Sequence, residues 1–240
     1  SHCSYHVLNQ RVEEFLSKEE NKDHELYITD LMVNEKVEKL LNERHKKGCH
    51  VQMIDHHVTA LHFNQYPWAF VKPEYEDGRK TCATSLFYEH LLKKGVLRST
   101  KSLDIFVDLV RQYDTWEWDA NDNIIAKQLN DLYFMFGREQ FEEDLLKRIK
   151  ENPDQFELTD LENVLMGVEE KKIERYIHSK NKQIVQTFVD GYCIGIVHAE
   201  QYLSELGNAL NKRNPHLDMV VLVNVGSKKI GFRTIHDHIN

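Results

Sequence analysis

The chain has 240 residues, enough for one large domain or two modest ones, and its 41% hydrophobic content suffices for a real core. A net charge of −8 argues against a long duplex-binding surface, which needs a basic stripe, but leaves room for a short phosphate-bearing substrate held by one metal site and a few arginines. No apolar run reaches the roughly 18 residues of a membrane span, and no secretory signal pattern appears. Cys3, Cys49, Cys82 and Cys193 are scattered without a CxxC pair, so a disulfide framework is not expected and a reducing cytoplasm is the natural compartment.

From the start of the chain, Val7, Leu8, Val12, Phe15 and Leu16 mark an amphipathic helix within Ser1–Ser17. His2 and His6 stand four apart on it, but two ligands with no third are more often solvated side chains. After a charged loop at Glu19–His24, Glu25–Leu31 is an apolar run containing Asp30 near its end. Asn34–Gly48 repeats apolar residues at helical spacing, with Asn34 as the cap and Gly48 as the left-handed stop. Val51–His57 (VQMIDHH) is a second apolar run that ends on Asp55, His56 and His57.

Strand, helix, strand is a βαβ unit, whose strands are parallel and usually adjacent. Parallel strands end at the same sheet edge, where ligands bind in open α/β folds. The pattern therefore delivers Asp30 and Asp55-His56-His57 to one rim. Two imidazoles and two carboxylates there suit a divalent metal, although with 14 histidines in the chain an adjacent pair can also be a surface loop.

Further along, Trp68–Lys72 is read as a short strand and Glu74–Lys80 as a charged turn. Thr81–Leu92 follows as a helix closed by Lys93-Lys94-Gly95. Arg79 and Thr84-Ser85 lie where a helix start could meet an anion, with plain capping the more ordinary explanation. In Ser102–Asp114 the stripe Leu103, Phe106, Val107 and Val110 continues onto Asp114, and an acid there is costly unless bound to metal or paired, with a salt bridge to Arg111 or a fraying helix end as the plainer readings. Trp116 and Trp118 beyond it read as packing residues or as groove walls.

Two helices are expected within Ile124–Arg148, and one long helix from Asp160 to about Phe188. A composition change then introduces strands at Tyr192–Val197 and Met219–Val225, a helix at Ser204–Lys212, and a hairpin returning through Ile230–Ile235.

These stretches resemble the DHH phosphoesterase family, named for the motif standing here as Asp55-His56-His57. The wording YITDLMVNE, MIDHHVTAL, DGRKTCATSL, LVRQYDTWEW and GIVHAEQYLSELGN is most similar to nanoRNase B-type oligoribonucleases, over essentially the whole chain. The resemblance implies an α/β fold: a parallel-sheet DHH catalytic domain with flanking helices (1–160), a long connecting helix (161–188), and part of a smaller α/β DHHA1 substrate-binding domain (189–240). It implies metal-dependent hydrolysis of short oligoribonucleotides to mononucleotides, with two divalent ions, Mn²⁺ by analogy. Asp30 would bridge the ions, and His56 and Asp114 would complete the second. His57 would face the phosphate, and Asp55 would orient the imidazoles. Arg233 in GFRTI matches the family's phosphate-contacting arginine, with His198 and Ser204 as weaker substrate-binding candidates.

The family's first motif, a His and two closely spaced Asp after an N-terminal strand, has no counterpart before Asp30, and the closing glycine-rich stretch with its histidine is absent too. Together with Ser at position 1, this suggests a fragment, expected to be nearly inactive as it stands. Other readings are a cyclic-nucleotide or cyclic-dinucleotide phosphodiesterase, a nucleoside bisphosphate phosphatase of the same fold, or a non-catalytic nucleotide-binding module. The expected partner is short single-stranded RNA or a small nucleotide, with neither long duplex nor membrane; a homodimer is left open.

Overall fold

Three short parallel strands frame the first part of the chain in the computed structural model, which describes residues 3–236. They are β1 (Leu26–Thr29), β2 (Val51–Asp55) and β3 (Ala69–Val71), in the order β1-β2-β3. The chain divides into two units, Ser1–Leu158 and Thr159–Asn240.

In the first unit, α1 (Tyr5–Ser17) contributes Leu8 and Val12 to the core. Its His6 is exposed, and His2 lies outside the described residues. Helix α2 (Glu35–Lys46) crosses from β1 to β2. The Asn34 side chain accepts from the Val37 N–H at 3.0 Å, acids fill the first turn and bases the last, so both helix ends match the macrodipole. Val37, Leu41, Met53 and Ile54 are fully buried, each stabilising the fold by about 1.5–3 kcal/mol. The central strand β2 is apolar on both faces for that reason.

Beyond β3 come α3 (Ala83–Lys93), α4 (Lys101–Asp114), the short α5 (Glu117–Ala120), α6 (Ile124–Phe136) and α7 (Arg138–Glu151). Leu109 of α4 packs with Ala126 and Leu129 of α6 and with Phe156. This cluster holds the last turn of α4, and thus Asp114, against a rigid support.

The second unit begins with α8 (Asp160–Asn181), started by a capping box between Thr159 and Glu162. The expected helix to Phe188 is too long by about two turns. After Gln183, Val185, Thr187 and Val189 alternate as β-branched residues and form β4 (Val185–Val189), antiparallel to β5 (Tyr192–His198). Asp190 and Gly191 join them with φ of +50° and +88°, the conformation of a tight two-residue hairpin. Helix α8 is also built into this unit: Ile173 and Ile177 share a core with Val197, Leu206, Leu210, Val220 and Leu222. Helix α9 (Leu203–Arg213) crosses from β5 to the parallel β6 (Met219–Asn224), and β7 (Lys229–Arg233) returns antiparallel, giving the order β4-β5-β6-β7.

Candidate metal centre

Adjacent parallel pairing aligns Thr29 with Ile54, so the residues that follow each strand meet at the same sheet edge. The Asp30 N–H donates to the Ile54 carbonyl at 3.1 Å, and there the backbone turns sharply, with Asp30 at φ +66°. Left-handed backbone suits Asp better than most side chains. Asp55, the last residue of β2, is completely buried. Its Oδ1 accepts from the backbone N–H of His56 at 2.6 Å and of His57 at 3.0 Å, and lies 2.7 Å from Nδ1 of His57. Its Oδ2 is buried without a hydrogen-bond partner among the described residues.

His56 reaches the other way. Its Nε2 stands 3.3 Å from Asp30 Oδ1 and 3.3 Å from Asp114 Oδ2. The structure thus brings Asp30, Asp55, His56, His57 and Asp114 together from the ends of β1, β2 and α4. The hydrogen bond with Asp30 raises the pKa of His56, with Asp114 adding and burial opposing. Desolvation raises that of Asp114, opposed mainly by His56. Arg111 is not the partner of Asp114; it is paired with Asp108 and Glu117.

The donor set fits a divalent cation. A neutral imidazole nitrogen has one hydrogen or one lone pair, yet this one faces two carboxylates at distances longer than ordinary charge-assisted bonds. Ligand atoms of Asp30, Asp55, His56 and His57 all lie within 4.8 Å of one another. Mixed imidazole and carboxylate donors at that spacing suit Mn²⁺, Zn²⁺ or Fe²⁺. A cavity of about 750 Å³ opens beside them, walled by α1, the length of β1 and Cys82, Ala83 and Thr84 at the start of α3, with Asp30 and Asp114 on its lining.

The other sequence-derived candidates are dispersed. Arg79 pairs with Asp77 at 2.8 Å and stacks on Tyr75, while Ser85 forms a capping box with Cys82, so capping explains this segment. In the second unit, Arg233 pairs in register with Val220, whereas His198 pairs with Val223. Side chains alternate along a strand, so Arg233 lies on the sheet face of the buried Val220 and Leu222, and His198 on the opposite face. The Arg233 stem runs over Gly207 of α9, where an added Cβ would come 2.5 Å from Cγ of Arg233. Ser204 sits one turn earlier on α9, three residues from Gly207, and so shares its side of the helix. Sequence reasoning did not single out Gly207; the small residue inside an otherwise regular helix was the signal.

No protein-family model matches the chain. Over 239 residues it is 50% identical to "Oligoribonuclease NrnB" of Bacillus subtilis (strain 168), a match covering 99% of this chain and 60% of that protein. The chain therefore spans about three fifths of the relative's length. Among solved structures, an uncharacterized protein from Helicobacter pylori G27 aligns with a TM-score of 0.40 and 17% identity, over 95% of this chain and 75% of that one, a likeness too slight to carry an argument.

Proposed function

We propose that the chain belongs to the DHH/DHHA1 phosphoesterase family and that its protein is a metal-dependent phosphodiester hydrolase degrading short oligoribonucleotides to mononucleotides. The observation that carries this reading is the convergence of Asp30, His56 and Asp114 at one rim, with one imidazole nitrogen between two carboxylates. The relative's name adds the substrate class.

In this reading Asp30, His56 and Asp114 would hold a divalent ion, and Asp30 would also serve a second. Bound Mn²⁺ would supply charge neutralisation at the phosphate and a water of lowered pKa. The protein's own part is positional. Asp55 fixes the ring of His57 through Nδ1, which leaves Nε2 to hold a proton toward the leaving oxygen or to polarise the phosphate. Burial of Asp55 keeps that orientation fixed. The unit Ser1–Leu158 would carry the chemistry and Thr159–Asn240 the substrate contacts. Arg233 would anchor a phosphate or terminus by a charge-assisted bond, with Ser204 on the adjoining helix turn; His198, on the other sheet face, would act apart from them. Four cysteines without a disulfide suit a reducing cytoplasm.

A competition assay on the full-length protein tests the reading. Labelled dinucleotide and long single-stranded RNA are offered together with Mn²⁺, beside a cyclic dinucleotide and a nucleoside bisphosphate. Faster, Mn²⁺-dependent hydrolysis of the dinucleotide is expected, since a net charge of −8 gives a long backbone no extended track. Preference for the long strand would indicate a processive exonuclease, preference for the cyclic or bisphosphate substrate another phosphoesterase, and binding without turnover a sensing module.

A further inference from the structure

Arg111 is buried three residues before Asp114, in the last turn of α4. Its guanidinium donates to Asp108 at 2.8 and 2.9 Å, to the Lys80 carbonyl at 3.0 Å, and to Glu117 through a short bond. Glu117, the first residue of α5, in turn accepts from the Lys80 N–H at 2.8 Å. Both backbone polar groups of Lys80 are thus held by one ion pair. Lys80 leads into Thr81 and the Cys82 cap of α3, whose first turn walls the same cavity as Asp30 and Asp114. Between Asp114 and Glu117 the chain turns through Trp116, whose φ of +63° is unusual for a bulky side chain.

Stability alone does not explain this arrangement. A buried ion pair loses much of its Coulomb gain to desolvation, and apolar replacements are often no less stable. What the pair supplies is fixed spacing. A planar guanidinium binds three partners in one plane, which a lysine ammonium cannot reproduce.

We infer that Arg111, anchored by Glu117, is a positioning residue for the metal centre, holding the Asp114 end of α4 and the entry to α3 at one spacing. The inference rests on the reading of Asp114 as a metal ligand. It concerns metal affinity first and turnover only through it.

The test is Mn²⁺ calorimetry on the full-length protein and five variants, with thermal unfolding in chelator alongside. Arg111→Lys should weaken Mn²⁺ binding at least tenfold, within the range that outer-shell partners of metal ligands command. Glu117→Gln, which keeps an acceptor for Lys80, should weaken it less. Asp114→Asn combined with Arg111→Lys should be little worse than Asp114→Asn alone, because the two act through one ligand. Lys127→Met, which opens the buried Lys127–Asp131 pair on α6, should lower the unfolding temperature without changing Mn²⁺ affinity. Unchanged affinity in Arg111→Lys, full additivity with Asp114→Asn, or equal weakening in Lys127→Met would each overturn the positioning role. Failure of the unaltered protein to bind Mn²⁺ would overturn the metal centre, and this inference with it.

Discussion

The fully buried carboxylate of Asp55 holds Nδ1 of His57 at 2.7 Å, so one acid without solvent contact fixes the orientation of a half-exposed imidazole. Asp55→Asn keeps the shape and an oxygen for the two backbone N–H groups, but removes the carboxylate charge that faces Nδ1 of His57. Under the proposed function, dinucleotide hydrolysis should fall about 10–100-fold with the circular dichroism spectrum unchanged. Wild-type turnover in this variant would remove His57 from the chemistry.

Asp114 should show the opposite balance between stability and binding. Desolvation raises its pKa, so its charged form is disfavoured in the folded protein, and that cost is present at neutral pH and absent once the group is protonated. Metal-free Asp114→Asn should therefore unfold at the same temperature as the parent or higher. The parent alone should gain stability with Mn²⁺, about 2.7 kcal/mol at 100 times its Kd. A calorimetric scan with and without Mn²⁺ checks both halves; a clear loss of stability in metal-free Asp114→Asn would contradict the first.

Gly207→Ala should disturb Arg233 in particular. The new Cβ would meet Cγ of Arg233 at 2.5 Å and Leu222 at 3.2 Å, and Cγ lies too close to the backbone to swing aside cheaply. Overpacking of this kind costs about 1–3 kcal/mol. Chemical denaturation should show that loss, and dinucleotide affinity should fall together with that of Arg233→Ala. A variant as stable as the parent would mean the strand yields at this point.

His90 sets an acid-side limit on stability. Its Nε2 is buried without a hydrogen-bond partner among the described residues, against the rings of Tyr27 and Phe87. Burial lowers its pKa, and the nearby Lys94 adds to the effect. A group depressed in the fold contributes stability that is present above its unfolded value of about 6.5 and is lost as pH falls through the folded one. His90→Leu should flatten the decline of unfolding temperature below pH 6.5. An identical decline would assign it to other groups.

Much of the rim was legible because its signals are local. Asn34 and Gly48 bracket a helix between two apolar runs, and parallel pairing then places Asp30 beside Asp55 and His56 without further information. Asp114 was found as the continuation of a helical stripe. The partner of Arg111 was not legible: Glu117 lies six residues away, across a left-handed turn at Trp116 that no helical periodicity announces. The excess length given to α8 has a different cause. Lys182–Phe188 continues the apolar spacing of the preceding helix, and only the Asp190-Gly191 turn and the β-branched alternation mark a strand. The separation of Arg233 from His198 needed strand register, which sequence alone does not supply.

The left-handed backbone at Asp30 narrows which acid this position accepts. Asp and Asn enter that region several-fold more readily than most residues, whereas Glu lacks the short side chain that bonds to its own backbone there. Asp30→Asn thus leaves the turn undisturbed and isolates the loss of charge. Asp30→Glu keeps the charge but strains the turn and shifts the carboxylate by one methylene from its place beside Nε2 of His56. Two acids that are interchangeable as metal donors are here sorted by the main chain, so a neutral drift from Asp to Glu is closed at this site before any ligand is considered.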